Sequence, residues 1–229
     1  MRNNFFKVLG LIGVALFLAC TAHADGTTTM EFTGVNGANN GVYYVSPYNG
    51  IMNYGTSGAQ AVVLFCDDIN NEVTWNQVWT ANVTNMASGN FSNTRYGNSS
   101  INTNLGSTLP LTLYEEAAWL VTQFASHPGD YVSLQYALWN LMSPNNPNAG
   151  PLSYAGSDGI TVATWLQDAN NDYTNINPAD FEIITNTGTL AYTGQVQEFI
   201  VETPEPSSLA LLVTGMLALM LLVIRRGRV

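Results

Sequence analysis

Residues 113–125 read LYEEAAWLVTQFA, and residues 131–142 read YVSLQYALWNLM. These two stretches decide the fold. In the first, Tyr114, Ala117, Ala118, Val121 and Phe124 recur at helical spacing and share one face. In the second, the stripe is Tyr131, Leu134, Leu138, Leu141 and Met142, with Trp139 beside it. Asp130 stands where a helix N-cap belongs, and Pro144 stops the run. Glu115 and Glu116 read as first-turn acids favoured by the helix dipole.

Outward from this pair the periodicity changes. Short β-branched and aromatic runs predict strands at 28–35, 41–46, 61–65, 74–83, 181–185, 189–192 and 195–202. Pro47-Tyr48-Asn49-Gly50 reads as a turn, because Asn-Gly is the hairpin dipeptide. Residues 89–106 and 143–159 read as loops, the former at the surface, and 160–166 as a short third helix. The fold class expected is α+β: a mainly β body with an inserted two-helix hairpin.

Charge narrows the function. Between 25 and 202 there are 15 acids and a single base, Arg95. Phosphate binding needs Lys and Arg, so nucleic acid is excluded as a partner. No lysine lies in this span, which rules out lysine–asparagine crosslinks within it.

Both ends read as targeting segments. Arg2 and Lys7 precede an apolar run at 8–19, and Ala22-His23-Ala24 is a small-x-small site for cleavage between Ala24 and Asp25. A lipoprotein signal ending at Cys20 is the alternative; either exports the chain. Removing residues 1–24 leaves Cys66 as the one cysteine, so no internal disulfide is expected. At the other end, Pro204-Glu205-Pro206 leads into an uncharged apolar run, and Arg225, Arg226 and Arg228 follow. A transmembrane helix is expected over 208–224, with the arginines as a cytoplasmic stop.

The Pro-Glu-Pro, apolar helix and arginine cluster of 203–229 closely resemble the PEP-CTERM sorting signal. That resemblance implies a bacterial protein held in the membrane by its C-terminal helix. An exosortase then cuts it near Pro204, Glu205 and Pro206 and passes it to the cell surface or extracellular matrix. Residues 25–202 would be the exported domain. Phe65-Cys66-Asp67-Asp68, residues 115–120 and residues 134–139 also resemble uncharacterised PEP-CTERM proteins. The Cys, then Gln-x-Ala-x-Trp order is similar to thioester domains of bacterial surface adhesins. Carried over, it implies a bond between the Cys66 sulfur and the Gln135 side-chain carbonyl.

The residues themselves leave several readings open. Gln135 lies within a core-facing stripe, where it must find partners or cost a few kcal/mol. Cys66 and Gln135 are then thioester candidates reactive toward surface amines, or a buried small hydrophobe and a backbone-bound amide. A cysteine hydrolase using Cys66 with His127 is the enzyme alternative, and an ordinary turnover enzyme is not expected. A third option is a glycan-binding module that takes extracellular polysaccharide on exposed Trp and Tyr. No cofactor motif and no metal site is expected. Asp168-x-Asn170-x-Asp172 has calcium-loop spacing but lacks the glycine and the final acid, with Tyr173 and Ala179 there instead.

Overall fold

The computed structural model of the chain describes residues 25–97, 109–188 and 196–203, with position 215 beyond them. Ala24–Glu202 forms one compact unit, separate from the two terminal segments. The expected signal peptide and cleavage site (Ala24), and the sorting tail with Pro204, Glu205, Pro206, Arg225, Arg226 and Arg228, lie outside the described residues. Among the described residues no helix is long and apolar enough to cross a membrane.

Six antiparallel strands close into a barrel: β1 (Gly26–Val35), β2 (Tyr48–Met52), β3 (Gln60–Cys66), β4 (Val78–Asn85), β5 (Phe181–Asn186) and β6 (Phe199–Glu202). The order around the barrel is β1-β2-β3-β6-β5-β4. Between β4 and β5 runs a helical insertion: α1 (Pro110–Gln123), α2 (Tyr131–Met142) and α3 (Val162–Asp172). Mainly β with helices is therefore the fold class found; among the described residues the insertion holds the expected helix pair and, near the expected 160–166, a third helix.

Side-chain alternation explains the two cores. On β1, Thr28, Met30 and Phe32 point inward, and the residues between them are partly exposed. β5, β6 and the last three residues of β3, Leu64 to Cys66, are buried on both faces. Leu64, Cys66, Ile184, Phe199 and Val201 fill the barrel, where they meet Met30, Trp79 and Tyr48. Phe65, Ile183 and Ile200 point the other way, into a second core made by the helices. The apolar end of β3 and the apolar run of β5 reflect that double burial.

α2 spans the insertion boundaries the sequence predicts. Asp130 sits at its N-cap without a side-chain cap bond; its Oδ1 instead accepts the Asp158 N–H at 3.0 Å. α1 starts earlier than read, with Pro110 at the first position, where its missing N–H costs nothing. Glu115 and Glu116 are thus past the first turn. Burial raises the carboxyl pKa of both. α3 starts at Val162, where the Thr161 hydroxyl accepts the Thr164 N–H at 3.1 Å and caps it, and runs on to Asp172, past the expected 160–166. It also carries Asp168, Asn170 and Asp172, so that triplet is helical rather than a calcium loop.

One expected strand, one expected turn and one expected surface loop are corrected. Residues 41–46 form a loop with a single bridge, Asn39 to Tyr44, and not a strand. Tyr48, Asn49 and Gly50 lie in β2 and not in a turn. Gly50 pairs with Phe32 and Val62, and a Cβ there would meet Leu64 Cδ1 at 2.7 Å. Its role is close packing across the barrel, which a hairpin dipeptide conceals. The 89–106 stretch is not all surface: Phe91, Thr94, Arg95 and Tyr96 are buried. The 189–192 strand lies outside the described residues.

Candidate functional site at the barrel mouth

The strand registers place Val35, Tyr48, Cys66, Asn186 and Phe199 at one end of the barrel. The connections 36–47 and 67–77, with the described residues 187–188 and 196–198, also belong to this end, which is where a rigid scaffold carries binding loops. A cleft of about 460 Å³ opens there. Tyr48, Trp139 and Gln197 help line it, with Tyr44 and Trp75 at the rim. Trp75 is 58% exposed, Tyr44 54% and Val42 75%. Trp75 is nevertheless held: its ring meets Phe32 edge-on at 5.9 Å and lies over Gly34, where a Cβ would come within 2.8 Å of it.

Cys66 and Gln135 lie at this end, fully buried. The Gln135 Nε2 donates to the Cys66 backbone oxygen at 2.6 Å, and its Oε1 accepts the Ser46 N–H at 2.9 Å. Ser46 Oγ in turn accepts the Cys66 N–H at 2.8 Å. The thiol itself donates to the Asp68 carbonyl at 3.3 Å. Burial pushes the thiol pKa far up, and the nearby charge of Asp68 adds to that. The structure thus brings the two thioester candidates together through the cysteine backbone. It does not bring His127 to Cys66. That ring bonds Asp158 and packs edge-on against Trp165 at 5.1 Å.

Sequence reading missed the polar cluster beside Cys66. Arg95, the lone base, is 1% exposed, and its Nε lies 3.1 Å from Asp68 Oδ2. Its Nη2 donates to Val196 O at 2.9 Å, and its backbone N–H to Glu198 Oε2 at 2.6 Å. Glu198 also accepts the Tyr114 and Thr185 hydroxyls, and Asp68 accepts Tyr96 Oη at 3.2 Å. Partners separated by 27 and 103 positions leave no local motif. The available signal was compositional: a single arginine among 15 acids needs no surface role.

Asp67 is the odd member. It is fully buried, and neither carboxylate oxygen has a hydrogen-bond partner. Burial raises its pKa well above the ordinary value, and the charges of Glu198 and Asp68 add to the rise while Arg95 opposes it. A raised carboxyl pKa means the folded state holds a proton that the unfolded chain releases. Stability from this group is full below pH about 4 and falls as pH rises toward the folded pKa. Asp67→Asn is therefore expected to raise the melting temperature at pH 7 and change it little at pH 4. Thermal unfolding at the two pH values checks this; equal shifts at both would refute it.

No family model, no curated protein and no solved structure matches this chain. The fold and the mouth define it only as a closed antiparallel barrel with a helical insertion, acidic and lysine-free between residues 25 and 202.

Proposed function

We propose that the chain is an exported surface or extracellular-matrix protein of structural or adhesive kind. On this reading its 203–229 tail is the substrate of an exosortase, and its barrel domain acts by binding at the mouth. The observation that supports it is the aromatic rim. Trp75 and Tyr44 are more than half exposed, yet Trp75 is braced on Phe32 and Gly34. Flat apolar faces beside amides, such as the exposed Asn148, suit a polysaccharide, whose sugar faces are apolar and whose hydroxyls need polar partners. The acidic surface disfavours strongly anionic polymers.

Affinity electrophoresis through gels containing neutral or acidic polysaccharides tests this. Retardation is expected in at least one neutral polymer, lost in Trp75→Ala and unchanged in Cys66→Ala. Unaltered mobility of the wild type in every gel would sink the polysaccharide reading.

The contact between Gln135 and Cys66 favours a second, covalent reading. The Ser46 N–H sits on the Gln135 carbonyl oxygen, where charge would develop during attack, and the Cys66 carbonyl holds the amide nitrogen. Sulfur attack on the side-chain carbonyl would form the C–S bond and break the C–N bond. The thiol proton would leave on nitrogen as ammonia. The high thiol pKa opposes the step by disfavouring the thiolate. Intact-mass measurement decides it. The thioester predicts a wild-type chain one ammonia lighter than its sequence, and Cys66→Ala at full mass. A Gln197→Ala control separates Gln135 from the other glutamine lining the cleft.

A further inference from the structure

We propose that His127, Asp130 and Asp158 form a binding site for a divalent transition-metal ion of the zinc class. The three residues come from the turn between α1 and α2 and from the loop before α3. Each offers one ligand atom, and these atoms lie within 4.8 Å of one another. His127 Nδ1 is 3.0 Å from Asp158 Oδ2.

Asp130 supplies the independent observation. It is fully buried, and its Oδ2 has no hydrogen-bond partner. A buried carboxylate oxygen left bare costs free energy that a bound cation would recover. Its Oδ1 is used, accepting the Asp158 backbone N–H. The loop is drawn so closely onto Asp130 that a Cβ at Gly156 would come within 2.1 Å of that oxygen. Gly129 allows the other approach, since a Cβ there would meet Ser157 Oγ at 1.8 Å. The positions are built before any ion arrives.

The donor set selects the ion. One imidazole and two carboxylates are too few oxygens for calcium, which takes 6–8, and magnesium binds few dedicated protein ligands. Imidazole with carboxylates suits zinc and its neighbours, and the affinity order among divalent metals favours zinc over manganese and iron. His127 is 30% exposed and Asp158 47%, which leaves room for water to complete the coordination. Trp165 packs edge-on against the imidazole and restricts its rotation. Two carboxylates and a neutral imidazole match a 2+ ion in charge, and among the described residues the only Arg or Lys lies in the Arg95 cluster. A metal here would clip the α1–α2 turn to the 151–159 loop and brace the insertion.

The test is titration of the full chain, stripped by chelator, with zinc chloride and separately with calcium chloride, by calorimetry. One zinc per chain is expected, with Cys66→Ala binding as the wild type does. Asp130→Asn keeps the Asp158 contact but removes the bare oxygen. It and His127→Gln should weaken zinc binding by more than the ~10–100-fold that removal of an outer-shell partner costs. Melting of the full chain should rise on zinc addition in the wild type and not in either variant. Absent zinc binding, calcium binding in its place, or zinc affinity equal to the wild type's in Asp130→Asn or His127→Gln would each overturn the proposal.

Discussion

Arg95→Ala is expected to cost about 3–5 kcal/mol, a large share of the ~5–15 kcal/mol that holds a domain folded. Asp68 and Glu198 are fully buried, and Arg95 is the one cation between them. Removing it leaves two carboxylates facing each other with no counter-charge, and orphans the Val196 carbonyl that Nη2 satisfies. Burial already raises the Glu198 carboxyl, and Arg95 opposes that rise, so without Arg95 it would hold its proton more readily and the variant should lose less stability at low pH than at neutral pH. Urea denaturation of the full chain at pH 5 and pH 7 measures both effects. Arg95→Met, which keeps most of the volume, separates charge from packing: it should be nearly as damaging. A loss under ~1 kcal/mol in either variant would mean that the cluster is already neutral in the folded state.

Gln135→Leu is the second large effect, expected to cost about 2–4 kcal/mol. The leucine fills similar space but strands two buried backbone groups, the Ser46 N–H and the Cys66 carbonyl. Each bare group costs roughly 1–3 kcal/mol. The change also loosens the 36–47 loop, since Ser46 anchors it to both Cys66 and Gln135. Hydrogen exchange should therefore show earlier exchange at Ser46 and Cys66 than in the wild type, along with the lower denaturation midpoint. If the midpoint moves while those amides stay protected, the loop is held by other contacts.

How much of this was legible depended on sequence distance. α2 was readable to the residue because its signals are local: an apolar stripe, Asp130 before it and Pro144 after it. β3 was readable because its apolar run ends in Leu64, Phe65 and Cys66, which are buried on both faces. β2 was not, because Gly50 serves an inter-strand contact, and glycine in isolation reads as a turn. Residues 41–46 carry strand-forming types, yet Val42 and Tyr44 stand at the mouth, with their backbone tied into Asn39 and Asn40 turns. Propensity there yielded to local side-chain bonds.

The candidate site divides the same way. The pair Cys66 and Gln135 was visible as two residue types that need partners. What surrounds them was not, because Asp68, Arg95 and Glu198 meet only through the barrel closing. Surface loop was the natural reading of a polar stretch such as 89–106. The burial of Phe91 and Tyr96 inside it follows from Tyr114, which stacks on the one at 5.3 Å and accepts the backbone N–H of the other at 3.2 Å.

The closed sheet has a consequence for life at high density. An open sheet ends in a row of unpaired amides and carbonyls that can recruit another chain, and crowding such domains together invites fibre growth. Here β1 and β4 are joined, β3 and β6 are joined, and the ladder returns on itself. Packed side by side, copies of this domain offer little free strand edge among the described residues, the 60–64 side of β3 beyond its Phe65 and Cys66 pairing with β6 being the exception. An array of copies that avoids that edge would be joined through side chains and loops.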